Sequence, residues 1–415
     1  MIEYTCDVAV IGAGPAGLAA ASSAREAGAE KVWLIERDCE PGGILQQCIH
    51  PGFGLAYFDE ELTGPEYAAR FYDKAVDLGV QFSFDTTVLA IEKGNILRCL
   101  SPRGESLINA KSIVLAMGCR ERTRGNLIIA GSRPAGVITA GAAQRMINIQ
   151  NQMIGNKVLI LGSGDIGMIM ARRLRLEGVE VVGVVEILPY LSGLTRNKLQ
   201  CLDDFDIPLL LSHTVTRVEG YPRVEAVYVA AVDEKNDPVL ASEERIECDT
   251  LLLSVGLIPE NELSRNAGIE LDAVTGGPVV DSDLQTSVPG IFCCGNVLHV
   301  NDLVDHVSVE SELAGENAAL YALGKLPSDS KLIPVQAGHM VRYVCPSVIR
   351  QRSGKSTLYF RVTKPAKHVD LQISDGTKIV WMKSHLRVNP GEMEAVCIPT
   401  ADLVGPEITI NVLPQ

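Results

Sequence analysis

The sequence predicts an α/β protein with two doubly wound units and a small β-sandwich after them. Three observations predict it. Asp7-Val-Ala-Val-Ile-Gly-Ala-Gly-Pro-Ala-Gly17 and Lys157-Val-Leu-Ile-Leu-Gly-Ser-Gly-Asp-Ile-Gly167 are each a short apolar run, a glycine turn and the start of a helical pattern. Four landmarks, Gly12/Gly162, Gly14/Gly164, Gly28/Gly178 and Glu36/Glu186, share one offset of 150 residues. From residue 329 onward the pattern changes to short strand-like runs separated by turn signals. A chain of 415 residues has room for two to three domains of about 150 residues each.

Each repeat reads as strand, turn, helix and strand, with the helix closed by Gly28 or Gly178 and the second strand ending on Glu36 or Glu186. A single Gly-x-Gly-x-x-Gly is a weak signal. Two copies in full β-α-β context, with an acid at the same spacing, are a strong Rossmann-like one. The first glycine permits a tight turn, the second lets the backbone approach a pyrophosphate, and the third lets the helix pack on the strand. The helix N-terminus then aims its partial positive charge at the phosphates. On this reading Gly12, Gly14, Pro15, Ala16 and Gly17 line one phosphate site, and Gly162, Gly164, Asp165, Ile166 and Gly167 line another. A carboxylate ending the second strand accepts ribose hydroxyls and repels a 2′-phosphate. No arginine follows Glu186 before Arg196, so the second loop is expected to take NAD(H) rather than NADP(H). Arg37 and Gly43, after Glu36, join the candidates at the first loop.

Three further apolar runs end in glycine or proline. They are Ser112-Ile-Val-Leu-Ala-Met-Gly118, Asp249-Thr-Leu-Leu-Leu-Ser-Val-Gly-Leu-Ile-Pro259 and Pro289-Gly-Ile-Phe-Cys-Cys-Gly-Asn296. A helical pattern follows from Asp302 to Leu323. Open α/β sheets place ligands at such strand mouths, which adds Ala116, Gly118, Gly256, Gly295 and Asn296 to the candidates.

Composition excludes other classes. A formal charge of −14, with 5% aromatic residues, argues against nucleic acid. Arg172 and Arg173 fall in a helical pattern and read as a solvated face. The N-terminus runs straight into an apolar strand without a basic, cleavable leader, so no secretory signal is expected. The longest apolar stretch, residues 8–24, is broken by Gly12, Gly14, Pro15 and Gly17. A membrane span needs about 20 uninterrupted apolar residues, so no integral membrane segment is expected and the cytoplasm is the expected compartment. Eleven cysteines include no two separated by two residues and no zinc or iron–sulfur ligand set. Free thiols and no metal are expected.

In order, the motifs Gly-x-Gly-x-x-Gly, Ala-x-Gly, a second Gly-x-Gly-x-x-Gly, Val-Gly-x-x-Pro and Gly-Ile-Phe-x-x-Gly-Asn resemble the two-dinucleotide-fold flavoprotein reductases. These are the superfamily of glutathione and thioredoxin reductases, and the likeness spans roughly residues 5–325. The resemblance implies an FAD-binding domain from residues 1–118 and 250–328, interrupted by an NAD-binding domain at 119–249, with a β-rich domain at 329–415. It puts FAD on the first loop, its ribose on Glu36, and the flavin side on Gly295 and Asn296. Asn296 stands where the family usually has Asp.

Two departures narrow the likeness. Gly42-Gly-Ile-Leu-Gln-Gln-Cys48 holds one cysteine where glutathione-reductase types hold a spaced pair, and Gly136-Val-Ile-Thr-Ala-Gly-Ala-Ala-Gln144 lacks the Cys-x-x-Cys of thioredoxin-reductase types. The His-Pro acid–base motif of the dimeric reductases is also missing. Both stretches, the first continued to Gly54, resemble instead the FAD/NAD-type subunits of multi-subunit opine, proline and cyanide-forming amine dehydrogenases. Related proteins associate with an FAD-dependent glycerol-3-phosphate dehydrogenase. That likeness implies hydride transfer between nicotinamide and flavin, an oligomer, and, for a partner, a second FAD-containing dehydrogenase subunit. The opine type's cysteine-rich iron–sulfur region is absent, since only Cys345 and Cys397 lie near the C-terminus.

Two residues stand as catalytic candidates. Cys48 reads either as a thiolate activated by His50, serving a stand-alone NADH oxidase or peroxidase, or as a packed loop thiol. His306, with His299 at the start of the last long helix, reads either as a proton donor beside the flavin or as a helix-cap histidine. Cys293 and Cys294 read as buried strand thiols. The β-rich region reads as a docking or dimer surface. A cofactor-bearing scaffold without turnover is the remaining alternative.

Overall fold

A computed structural model describes residues 2–352, 354–401 and 403–415. The chain divides into two compact units, one running to Cys119 and resuming at Pro259–Gln415, the other Arg120–Ile258.

The first unit is built on a seven-stranded sheet. Its central strand, Ile2–Ile11, pairs in parallel with Val32–Ile35 on one side and Gly104–Leu115 on the other. Val8, Ala9 and Val10 are fully buried. A central parallel strand is covered on both faces, which is why the run is continuously apolar rather than alternating. Ile291–Cys293 adds in parallel to Gly104–Leu115, while Ile96–Ser101 and Thr87–Glu92 extend the sheet as an antiparallel meander. Helix Pro15–Glu26 packs on helix Val304–Ala322, with Ala20 against Gly315. Gly315 makes that approach possible, since a Cβ there would overlap the Ala20 carbonyl.

The second unit holds five parallel strands in the order Val137–Thr139, Thr250–Leu253, Lys157–Leu161, Glu180–Glu186, Leu209–Leu211. A four-stranded sheet containing His213–Glu219 and Ala226–Ala231 accompanies them. The boundary expected after residue 249 is therefore corrected. Thr250–Leu253 lies between two strands of this sheet, and the unit continues to Ile258. Leu251 and Leu252 are fully buried there because the strand is internal.

The C-terminal region, within the first unit, forms two facing sheets. One has five strands, including Lys331–Ala337, Ala366–Ser374 and Ile408–Pro414; the other has Val341–Cys345, Lys355–Val362 and Glu394–Pro399. Ile333, Phe360, Leu371, Ile398 and Ile410, drawn from both, fill one apolar core. The expected sandwich is present, with strands at 331–337, 348–351, 394–399 and 408–414 beyond those read from the sequence.

Candidate functional sites: two acid-braced glycine loops

At the first loop Gly12 has φ of +101°, and a Cβ there would stand 2.5 Å from the Ala116 carbonyl oxygen. Gly17 is closed in the same way by the Gly12 carbonyl. Gly14, the N-cap of helix Pro15–Glu26, differs: a Cβ there meets nothing within 4 Å. The space in front of the helix N-terminus is open, as an approaching diphosphate requires. Gly43, with φ of +53°, rests against the Gly14 Cα. Glu36 is buried and braces the turn, with Oε2 accepting from Ala13 N–H at 2.6 Å and Oε1 from Asp38 N–H at 2.9 Å. Each oxygen thus keeps a lone pair for a ribose hydroxyl. Gly295 and Ala16 come together, with a Cβ on Gly295 standing 2.8 Å from that of Ala16. Asn296 lies next to them, its Oδ1 accepting from Asn301 N–H at 3.0 Å and its Nδ2 facing Cys119 Sγ at 3.7 Å. Gly118, with φ of +71°, accepts at its carbonyl from Glu260 N–H. Arg37 is exposed. The donor set and the open cradle fit an FAD diphosphate and ribose.

The second loop repeats the design. Gly162 has φ of +98° and is closed by the Ser254 carbonyl, as Gly12 is by Ala116. Ser254 Oγ also accepts from Gly167 N–H at 3.0 Å. Gly256 belongs here and not with the first domain, because Ser254-Val-Gly256 stands to this loop as Ala116-Met-Gly118 does to the other. Its carbonyl accepts from Arg122 N–H at 3.0 Å. Glu186 is buried, and Oε2 accepts from Ser163 N–H (2.9 Å), Ser163 Oγ (2.6 Å) and Ser192 Oγ (2.9 Å). Oε1 accepts from Leu188 N–H at 3.0 Å. Asp165, at the first helical position, turns its Oδ1 to Leu194 N–H and Asn197 Nδ2. Ile166 follows it in the first turn, half-buried, and Gly164 is the N-cap. Ser163, Ser192 and Ser254 were not among the expected residues, although the Ala-x-Gly/Ser-x-Gly parallel is a signal in the sequence for the last.

The surroundings of Cys48 favour the packed-thiol reading. Cys48 Sγ donates to Ile44 O at 3.3 Å, and burial pushes the thiol up to about 12. A histidine-activated thiolate needs the opposite shift. His50 turns Nδ1 toward Pro51 O at 3.1 Å and its ring toward Phe53. Burial likewise raises Cys293 and Cys294, the latter to about 12. His306 sits in the first turn of helix Val304–Ala322 with its ring centroid 6.3 Å from that of Tyr359. The preceding Asp305 accepts from Gly54 and Ala56 N–H. His299 is wholly buried, with Nε2 2.7 Å from Glu310 Oε2. Desolvation opposes its charge, but Cys345 and Glu310 outweigh it and raise the imidazole well above its ordinary value. Among the described residues no His/Cys/Asp/Glu cluster could hold a metal, and no helix is long and apolar enough to cross a membrane.

The family model described as pyridine nucleotide-disulphide oxidoreductase matches residues 6–314, both loops included. The chain belongs to that family. Members of the pyridine nucleotide-disulphide oxidoreductase family are oxidoreductases that use FAD and NAD(P)H. The chain is 27% identical over 349 residues to one subunit of the opine oxidase of Agrobacterium tumefaciens, covering 80% of this chain and 67% of that one. It is 25% identical to an NADH oxidase of Methanocaldococcus jannaschii, covering 76% and 68%. A match to the alpha chain of a Corynebacterium sarcosine oxidase spans only 27% of that longer protein. Among solved structures, T. acidophilum thioredoxin reductase superposes with a TM-score of 0.64 at 24% identity, covering 77% of this chain and 99% of that one. This likeness establishes the two-unit fold. The family name includes disulphide, yet the Gly42–Cys48 stretch of this member carries Cys48 alone.

Proposed function

We propose that this chain is the nicotinamide-reactive flavoprotein subunit of a multi-subunit dehydrogenase of the amino-acid/opine or glycerol-3-phosphate type. Bound FAD and NAD(H) would supply hydride transfer between the nicotinamide and flavin rings. What supports this most is the pair of acid-braced loops in a chain whose Gly42–Cys48 stretch holds a single cysteine. Ala16 and Gly17 N–H, which lack intrahelical acceptors, bind the FAD diphosphate, and Glu36 orients the ribose. Glu186 selects NAD(H) by leaving no room for a 2′-phosphate charge. Because its Oε2 already takes three hydrogen bonds, the ribose is recognised at Oε1 or through the serine hydroxyls. The subunit role draws on relatives named as subunits of opine oxidase and hydrogen cyanide synthase. A reducing cytoplasm suits the eleven free cysteines.

The test is anaerobic stopped-flow mixing of the FAD-loaded chain with NADH or NADPH. The expected result is flavin bleaching by NADH with kcat/KM at least about tenfold above NADPH, or ~1.4 kcal/mol. No bleaching by either would leave a scaffold, and a preference for NADPH would overturn the role of Glu186. A stand-alone NADH oxidase is the second reading, favoured by the M. jannaschii relative. It requires that the chain alone consume oxygen as fast as NADH reduces its flavin.

A further inference from the structure

The C-terminal sandwich reaches the first loop by two routes. Arg361, on strand Lys355–Val362, donates to Val300 O at 3.0 Å, pairs with Asp302, and donates through its other arm to Pro390 O at 3.0 Å. Asp302 Oδ2 in turn accepts from Met393 N–H at 2.6 Å. Between the two residues that Arg361 grips lies Asn301, whose N–H donates to Asn296 Oδ1. The second route starts at Cys345, buried against His299, with the Tyr359 ring 5.6 Å from the imidazole. His299 meets Glu310 Oε2, and Glu310 Oε1 accepts from Gly295 N–H at 2.6 Å. The first route ends on Asn296 and the second on its neighbour Gly295, which lies against Ala16 at the phosphate turn.

Two other arginines bind the sandwich to a different segment. Arg350 pairs with Asp281 and Arg352 with Asp283, on the hairpin that precedes strand Ile291–Cys293. Burial pushes the Asp283 carboxyl up to about 6, while Arg352 and Arg350 act in the opposite direction. These pairs provide an internal control for docking alone.

We infer that Arg361 is a positioning residue: through it the sandwich acts as a strut that fixes the Gly295–Asn296 turn and so governs how tightly FAD is retained. The planar guanidinium suits this role because it holds two oxygens in a fixed relative direction, which an ammonium cannot. With Val300 O and Asp302 both held, the Asn301 N–H has one direction in which to point, and it points at Asn296. The inference rests on FAD at the first loop and is independent of nucleotide choice, partner and acceptor.

The test compares Arg361→Met with Arg352→Met in the full-length FAD-loaded chain, measuring FAD release by fluorescence together with thermal unfolding. Arg361→Met is expected to release FAD at least about tenfold faster than the parent. Arg352→Met is expected to stay within about twofold even where it lowers the melting temperature as much. Arg361→Lys should fall between parent and Met, keeping the charge but not the fork. If Arg361→Met does not fold, Asp302→Asn tests the same tie more gently, with faster FAD release expected. Unchanged release in whichever of these folds would overturn the strut, and so would equal acceleration by Arg352→Met.

Discussion

Replacing Gly14 by valine should empty the first loop without harming the fold. Gly14 has φ of −69° and ψ of −176°, extended backbone that valine adopts readily, and its Cβ would meet nothing within 4 Å. The folded chain thus gains no clash, while the unfolded chain loses freedom worth about 0.4–1 kcal/mol. Binding is different, because the side chain enters the space where the diphosphate meets the helix. Pro15 has no N–H, and Leu18 N–H already bonds to Gly14 O, so the donors at stake are Ala16 and Gly17. Two hydrogen bonds to a charged group, at about 1.5–3 kcal/mol each, amount to about 3–6 kcal/mol. That corresponds to roughly 10²–10⁴-fold weaker FAD binding. Isothermal titration of apo-protein with FAD, paired with thermal unfolding without cofactor, measures both quantities. Unfolding of the apo variant, or FAD affinity within tenfold of the parent, would refute the reasoning. Gly17→Ala, whose Cβ would overlap the Gly12 carbonyl, is the contrasting variant and should destabilise the apo-protein itself.

Three other outcomes are expected. Glu186→Arg should narrow or reverse the NADH-over-NADPH ratio of kcat/KM in steady-state or stopped-flow assays. Cys48→Ser should keep the rate of flavin reduction by NADH within about threefold, ~0.7 kcal/mol in barrier, because a thiol raised to about 12 is not ionised at neutral pH. Burial raises the Asp7 carboxyl, but hydrogen bonds from Lys111 and from the Lys31 and Glu30 N–H groups outweigh it, and its pKa is lowered. Its stabilisation is therefore complete above the unfolded carboxylate's pKa of about 3.9 and is lost as pH falls through the lower folded value. Asp7→Asn should flatten the acid limb of the melting temperature against pH, and an unchanged acid limb would remove Asp7 from that account.

Both glycine loops were legible because what they demand is local. A positive φ at Gly12 and Gly162, and an acid at one fixed spacing, leave marks in the residues themselves. Thr250–Leu253 was harder to place, since a fully apolar run states that it is buried without stating in which sheet. Its insertion between Val137–Thr139 and Lys157–Leu161 is a choice made by distant partners. The same holds for Glu310, Arg361 and Ser192. Each is an ordinary polar residue in the sequence and takes its meaning from a group far along the chain. Lys331–Ala337 was concealed by Pro334, which sequence rules treat as a strand breaker. Cys48 was left between two readings for another reason: neighbouring Cys and His letters suggest a thiolate, but they carry no information about desolvation, which raises this thiol.

The close approach of Ala20 to Gly315 has a consequence for precision. Alanine and glycine have no side-chain rotamers to freeze, so bringing these backbones together costs almost no side-chain conformational entropy. Nor can the contact at this point slacken by one side chain shifting to another rotamer, because neither Ala20 nor Gly315 has one. The phosphate-facing end of the helix is therefore located by backbone against backbone, a bearing surface with very little play. Even a single added methyl at Gly315 would have nowhere to go except into the Ala20 carbonyl. The displacement would be felt five residues up the helix from that point, where Pro15 begins the turn toward the nucleotide.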